Sequence, residues 1–228
     1  RISKYKRSTI VFGNTNYKNK FRLKYKNIDI PKKIFQSQNR RYVKEFIKIE
    51  SKRNSNLIEL HNRPIYLNYL FNKLPNRKYI LYFHNDPLTM IGSKGIKERI
   101  FLLKNSFKII FNSNWSKKRF LEGMKNDFIN SDKLIVIHQS ANKNNVNTEK
   151  KHRIITFVGK LNKSKGYDLF GKAIIKVLDK YPNWKSIVIG DEPREKLVFQ
   201  HKNLKVIGFQ KHLKVLNIFK KSSIAVAC

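Results

Sequence analysis

Short apolar runs recur along this chain with segments of helical spacing between them, an alternation that few architectures accept. The runs lie at 9–12 (TIVF), 57–60 (LIEL), 79–83 (YILYF), 107–111 (FKIIF) and 134–137 (LIVI). Their length and continuous apolar character suit strands buried on both faces. Between them, 95–105 (GIKERIFLLKN) places Ile96, Ile100 and Leu103 on one helical face, and 116–124 (SKKRFLEGM) offers Ser116 as an N-cap. A polar stretch at 140–152 (SANKNNVNTEKKH) then reads as a connection. Beyond it the alternation restarts: strand 154–158, helix 167–181, strands 186–190 and 204–208, helix 213–221 and strand 224–228. The helix at 167–181 is the clearest, with Leu169, Phe170, Ala173, Ile174, Val177, Leu178 and Tyr181 forming its apolar stripe. The fold class expected is therefore α/β, as two Rossmann-like, doubly wound domains facing across a cleft. Their expected bounds are 1–141 and 153–228, with 142–152 as the connection.

Composition narrows the partners. The chain has 228 residues, 40% of them hydrophobic, which is ample for real cores. Fifty Lys and Arg against 15 Asp and Glu give a net charge of +35. Such a charge suits a polyanion or an anionic membrane surface. Equally, the basic residues are spread along the chain among many Asn and Ile, as AT-rich coding would produce, and no nucleic-acid-binding motif accompanies them. Cys228 is the only cysteine, so an internal disulfide and a cysteine metal site are both excluded. No apolar run approaches the roughly 18 residues of a membrane span.

The stretch 157–170, FVGKLNKSKGYDLF, sits where a parallel α/β sheet binds ligands: a strand, then Gly159, a short loop, Gly166 and a helix. Helix N-terminal amides favour an anion there, and Gly166, with no Cβ, lets a ligand approach the backbone. Lys160 and Lys165 supply charge. The order of a Walker loop is missing, and so is the dinucleotide fingerprint. On its residues alone the loop is open between a phosphate site and an ordinary solvated basic loop.

The segment FVGKLNKSKGYDLFGKAI resembles the donor-diphosphate motif of family 4 glycosyltransferases, with Lys160 at the position of an arginine and Lys165 at that of a lysine. IVIGDEPR resembles the family's Gly-Asp-Gly-Pro loop, here Gly190 and Asp191 with Glu192 where glycine is commoner, and LKVIGFQKHL places Gly208 and Phe209 at the nucleotide base. YILYFHNDP resembles the strand whose histidine, here His84, contacts the donor sugar, and IELHNRP places His61 on the acceptor side. The resemblance implies a retaining, metal-independent GT-B enzyme with no cofactor. Its donor would be a nucleotide-diphosphate sugar, and its acceptor a polysaccharide or lipid of the cell envelope, such as lipopolysaccharide. The setting it implies is cytoplasmic, with the basic surface available for docking on the inner face of the plasma membrane. It also implies a Gly-rich acceptor loop before residue 1 and a Glu-x7-Glu pair beyond Cys228. The chain as it stands is therefore expected to bind nucleotide weakly and to turn nothing over.

Rival readings are fewer. Six histidines show no His-x3-His spacing, so no metal site is expected. Asp191 and Glu192 resemble a carboxylate pair, but neighbours on a loop diverge and no second pair completes a glycosidase site. There is no nucleophile elbow. A basic nucleic-acid-binding module and a GT-B-like epimerase or phosphorylase remain the alternatives to a transferase.

Overall fold

The computed structural model describes residues 9–14, 24–30, 37–125, 128, 130–140, 151–195 and 197–227. The chain divides into two compact units, Arg1–Ala141 and Asn142–Cys228. The expected connection at 142–152 lies outside the described residues as far as 150, and His152 already belongs to a strand. Cys228 also lies outside them.

In the first unit, β3 (Leu57–His61), β4 (Lys78–Phe83), β5 (Lys108–Phe111) and β6 (Leu134–Val136) form one parallel sheet in sequence order. Crossovers run through α2 (Ile65–Phe71), α3 (Ile96–Asn105) and α4 (Asn114–Leu121). Leu67, Leu81, Leu102, Ile109, Phe111 and Phe120 are wholly buried between these layers. Phe83, Phe111 and Phe120 meet at ring separations of 5.3 to 5.6 Å, within the range of favourable aromatic packing.

The run at 9–12 forms β1 (Ile10–Gly13), which pairs in parallel with β2 (Lys24–Asn27) as a separate two-stranded sheet. A further helix, α1 (Gln38–Glu50), begins where Ser37 Oγ accepts a hydrogen bond from Arg40 N at 3.3 Å. It was not anticipated from sequence, although Tyr42, Val43, Phe46 and Ile47 share one face of it.

Two expectations about the helices of this unit are corrected. The N-cap of α4 is Ser113, not Ser116: Ser113 Oγ accepts from Ser116 N at 3.1 Å, while Ser116 Oγ donates to Asn112 Oδ1 at 2.9 Å. On α3 the buried face is Arg99, Leu102 and Leu103, continuing to Ser106, whereas Ile96 is exposed. The helix is rotated from its apolar spacing because Arg99 finds polar partners inside.

In the second unit the parallel sheet has the order β10 (Ser222–Val226), β7 (His152–Val158), β8 (Lys185–Ile189), β9 (Leu204–Val206). From β7 the chain crosses through α5 (Tyr167–Lys180) to β8, continues to β9, and returns through α6 (His212–Lys221) to β10 on the other side of β7. That reversal makes the carboxyl ends of β7 and β10 a topological switch point, where open α/β sheets bind ligands. Tyr167, Phe170, Gly171, Ile174 and Leu178 of α5 pack on the sheet through Phe157. Leu169, assigned to the stripe by spacing, is 64% exposed, so the buried face centres on Phe170 and Ile174. Nor are all strands buried on both faces: β3 alternates, with Ile58 and Leu60 inside and Leu57 and Glu59 outside.

Candidate active site

In the second unit three glycines close three neighbouring strands. Gly159 follows β7 and donates from N to Ile189 O at 3.0 Å; Gly190 follows β8 and donates to Gly208 O at 3.0 Å. The ladder thus runs past the ends of the strands and brings together Gly159, Gly190 and Gly208. Gly190 has φ of 147°, and a Cβ there would stand 1.7 Å from Gly159 O. Only glycine lets these two backbones meet. Gly208, at φ 66°, has open space around it, and the adjacent Phe209 is 79% exposed.

The loop from Gly159 forms a 3-10 turn, Lys163–Lys165, and then Gly166, whose φ of 65° redirects the chain into α5. No side chain caps α5; Tyr167 N donates to Asn162 O at 3.2 Å and Phe170 N to Gly166 O at 2.9 Å, so the first turn presents the amides of Asp168 and Leu169, with the Asp168 carboxylate beside them as a charge opposed to an anion. Lys165 is exposed; its Cβ lies 3.7 Å from where a Gly159 Cβ would stand, so it borders the strand end. Lys160 Nζ lies 3.9 Å from Glu192 Oε2. Asp191 is exposed.

Glu192 is the residue whose importance the sequence hid. It is buried, at 7% exposure, and accepts from Arg194 Nε at 2.7 Å, Arg194 Nη2 at 3.0 Å and Asn162 Nδ2 at 3.4 Å. The Arg194 hydrogen bonds hold its carboxyl down to about 2, against the opposing effect of burial. It remains a carboxylate at any physiological pH. Lys163 N donates to Glu195 Oε1 at 3.2 Å, tying the same two loops together again.

In the first unit, His84 stands just past β4, held by amides. Its N donates to Asn62 Oδ1 at 2.9 Å, and its O accepts from Asn112 Nδ2 at 2.9 Å. Asn62 sits at φ 56°, a conformation asparagine tolerates better than most residues. These side chains continue the hydrogen bonding of the sheet past the strand ends. Adjacent strands end in His61-Asn62, His84-Asn85 and Asn112, a repetition that was readable in the sequence.

The imidazole of His84 has both nitrogens engaged: Gln139 Nε2 lies 2.8 Å from Nδ1, and His61 Nδ1 lies 3.1 Å from Nε2. With Gln139 donating, neutral His84 carries its proton on Nε2 and donates to His61. The proton of His61 then sits on Nε2, 3.6 Å from the Glu59 carboxylate. The two rings are parallel within 7°, and His61 stacks on Tyr82 at 4.4 Å. Tyr82, His84, Asn112 and Gln139 border a pocket of about 260 Å³. A sugar hydroxyl can bond His84 only by replacing one of its two partners.

Burial first, and His61 second, hold the His84 pKa below the usual 6.5. Because the folded value is depressed, this group contributes stability above the unfolded value that is lost as pH falls through the folded one. The melting temperature of the wild type is therefore expected to drop more than that of His84→Gln between about pH 7 and 5. Parallel profiles would remove His84 as the acid-sensitive group. Among the described residues no group of three His, Cys, Asp or Glu side chains is placed to hold a metal ion, and no helix is long and apolar enough to cross a membrane.

Two parallel α/β units, one carrying a glycine-lined basic loop at a switch point, define a Rossmann-like fold of the GT-B class. Residues 138–228 match the family model described as glycosyl transferases group 1. An uncharacterized glycosyltransferase of Methanocaldococcus jannaschii is 27% identical over 188 residues, 70% of this chain and 46% of that protein. The chain thus spans about half the length of this relative. Among solved structures, S. aureus TarM superposes with a TM-score of 0.61 at 11% identity, over 82% of this chain and 39% of TarM. Anabaena HepE in complex with UDP and glucose gives 0.59 at 13% identity, over 89% of this chain and 60% of HepE. Likeness at these identities carries the fold alone.

Proposed function

We propose that the protein transfers a sugar from a nucleoside-diphosphate donor to a glycan or lipid-linked acceptor with retention of configuration. The observation that carries this reading is the meeting of Gly159, Gly190 and Gly208 at three neighbouring strand ends, with Lys160 and Lys165 in the loop that leaves β7. In the reaction, Lys160, Lys165 and the first amides of α5 stabilise negative charge growing on the diphosphate as the sugar C1–O bond breaks. The acceptor hydroxyl attacks from the same face, and its proton passes to the departing phosphate oxygen. His84 contacts the donor sugar, His61 serves the acceptor side, and Phe209 stacks on the base. Two structural neighbours support the substrate class: HepE, solved in complex with UDP and glucose, and WaaB, a lipopolysaccharide outer core galactosyltransferase. The excess of positive charge suits peripheral docking on anionic lipid, each nearby Lys or Arg contributing about 1 kcal/mol.

Titration calorimetry with UDP tests this. The Lys160→Ala/Lys165→Ala double variant is expected to bind about 10- to 100-fold more weakly, as the loss of two exposed charge-assisted contacts predicts. Equal affinity of the wild type for UDP, bare pyrophosphate and an unrelated polyanion, or an unchanged double variant, would overturn the site.

A further inference from the structure

We propose that Arg194 is a donor-phosphate-binding residue, a guanidinium that Glu192 holds in place beside Lys160 to take two oxygens of the diphosphate. The proposal rests on the nucleotide-sugar reading above. A glutamate is rarely buried unless paired. Glu192 has 4% of its side chain exposed, and beside the Asn162 amide it pairs with two cations: Arg194 at 2.7 Å and Lys160 at 3.9 Å. Both cations belong to strand-end loops, those after β8 and β7, joined by the bond from Gly159 N to Ile189 O. Both loops leave the carboxyl edge of the parallel sheet, the edge on which such folds bind ligands, and that of Lys160 leaves from β7, a strand of the switch point.

Arginine carries five N–H donors. Nε and one hydrogen of Nη2 bond Glu192, and no bond to Nη1 occurs among the described residues. The Arg194 side chain is 77% exposed even so. One edge of the guanidinium is thus fixed by a buried carboxylate, while the other is open to an incoming anion. Lys160 is a compact charge and cannot form two parallel bonds to a phosphate, whereas Arg194 can. A fork already oriented loses less freedom on binding than an unrestrained side chain.

Binding of UDP and of uridine to the wild type, Arg194→Gln, Arg194→Lys and Lys160→Ala/Lys165→Ala tests the proposal, with melting temperatures to confirm folding. Arg194→Gln is expected to weaken UDP at least tenfold and to change uridine, followed by ligand-observed NMR, less than twofold. Arg194→Lys is expected to recover part of the loss. Equal weakening of uridine would mean that Arg194 merely holds the loop, and would overturn the proposal. So would unchanged UDP binding in Arg194→Gln while the double lysine variant weakens, an outcome that leaves the nucleotide-sugar reading standing. Absence of UDP binding by the wild type would remove both.

Discussion

Replacing Gly190 by alanine is expected to unfold the second unit or to lower its melting temperature severely, while the same change at Gly208 is tolerated. Both glycines have positive φ, 147° and 66°, and both sit beside the basic loop. Their surroundings differ. An added Cβ at Gly190 stands 1.7 Å from the carbonyl oxygen of Gly159, a backbone atom that no rotamer change can move aside. Separating them breaks the hydrogen bonds from Gly190 N to Gly208 O and from Gly159 N to Ile189 O. A forced backbone shift of this kind belongs with the exceptional substitutions costing more than about 4 kcal/mol, a large part of a domain's typical 5–15 kcal/mol. At Gly208 nothing lies within 4 Å, so alanine there carries only the left-handed backbone penalty, about 1–2 kcal/mol. Thermal denaturation followed by circular dichroism separates the two. Similar losses for both variants would mean that the glycines are kept for backbone conformation alone and not for the contact between strand ends.

Gly190 also shows why the glycine-lined basic loop was legible as a structural feature. Strand, glycine, loop, glycine, helix is local punctuation, and the φ values at Gly166, Gly190 and Gly208 are the local need behind it. The apolar runs were readable for the same reason, since a strand between two layers must be apolar over its own few residues. Much of what was missed depends on a partner that the local sequence does not reveal. Gln139 meets His84 across 55 positions, and neither residue's neighbours announce the other. Glu192 stood out as a departure from the glycine commoner at its position, yet nothing around it showed that it is buried between Arg194 and Lys160. The helix α1 was hidden by its own charge: Arg40, Arg41, Lys44 and Lys48 interrupt a face of Tyr42, Val43, Phe46 and Ile47 whose spacing is helical. In so basic a chain a cation carries little information by itself, and its neighbours in space decide what it does.

Arg99 is the strongest case, and Arg99→Met is expected to destabilise the first unit by about 2–4 kcal/mol. The side chain is 3% exposed and meets carbonyl oxygens as its main partners. Nη1 donates to Phe120 O, to Glu122 O at 2.8 Å and to Arg119 O at 3.4 Å, and Nε donates to Gly95 O at 3.4 Å. The guanidinium thus closes the carboxyl end of α4, where helix carbonyls lack partners and the helix dipole is negative. Burial pushes its pKa down, but it starts so high that the group stays charged. Methionine keeps much of the apolar stem and removes every donor, leaving the buried carbonyl of Phe120 and the partly buried one of Glu122 without this partner. Arg99→Lys is expected to fall between wild type and Met, because one ammonium reaches fewer of these oxygens than a planar fork does. Arg119→Met provides the contrast. Arg119 pairs with Asp86 at 3.2 Å and with Glu122, but about a third of its side chain is exposed. Its loss is expected to cost clearly less than that of Arg99, because solvent screens an exposed ion pair. Urea denaturation of the three variants ranks them; a loss at Arg119 equal to that at Arg99 would show that ion pairs, and not the buried carbonyl cap, hold α3 against α4.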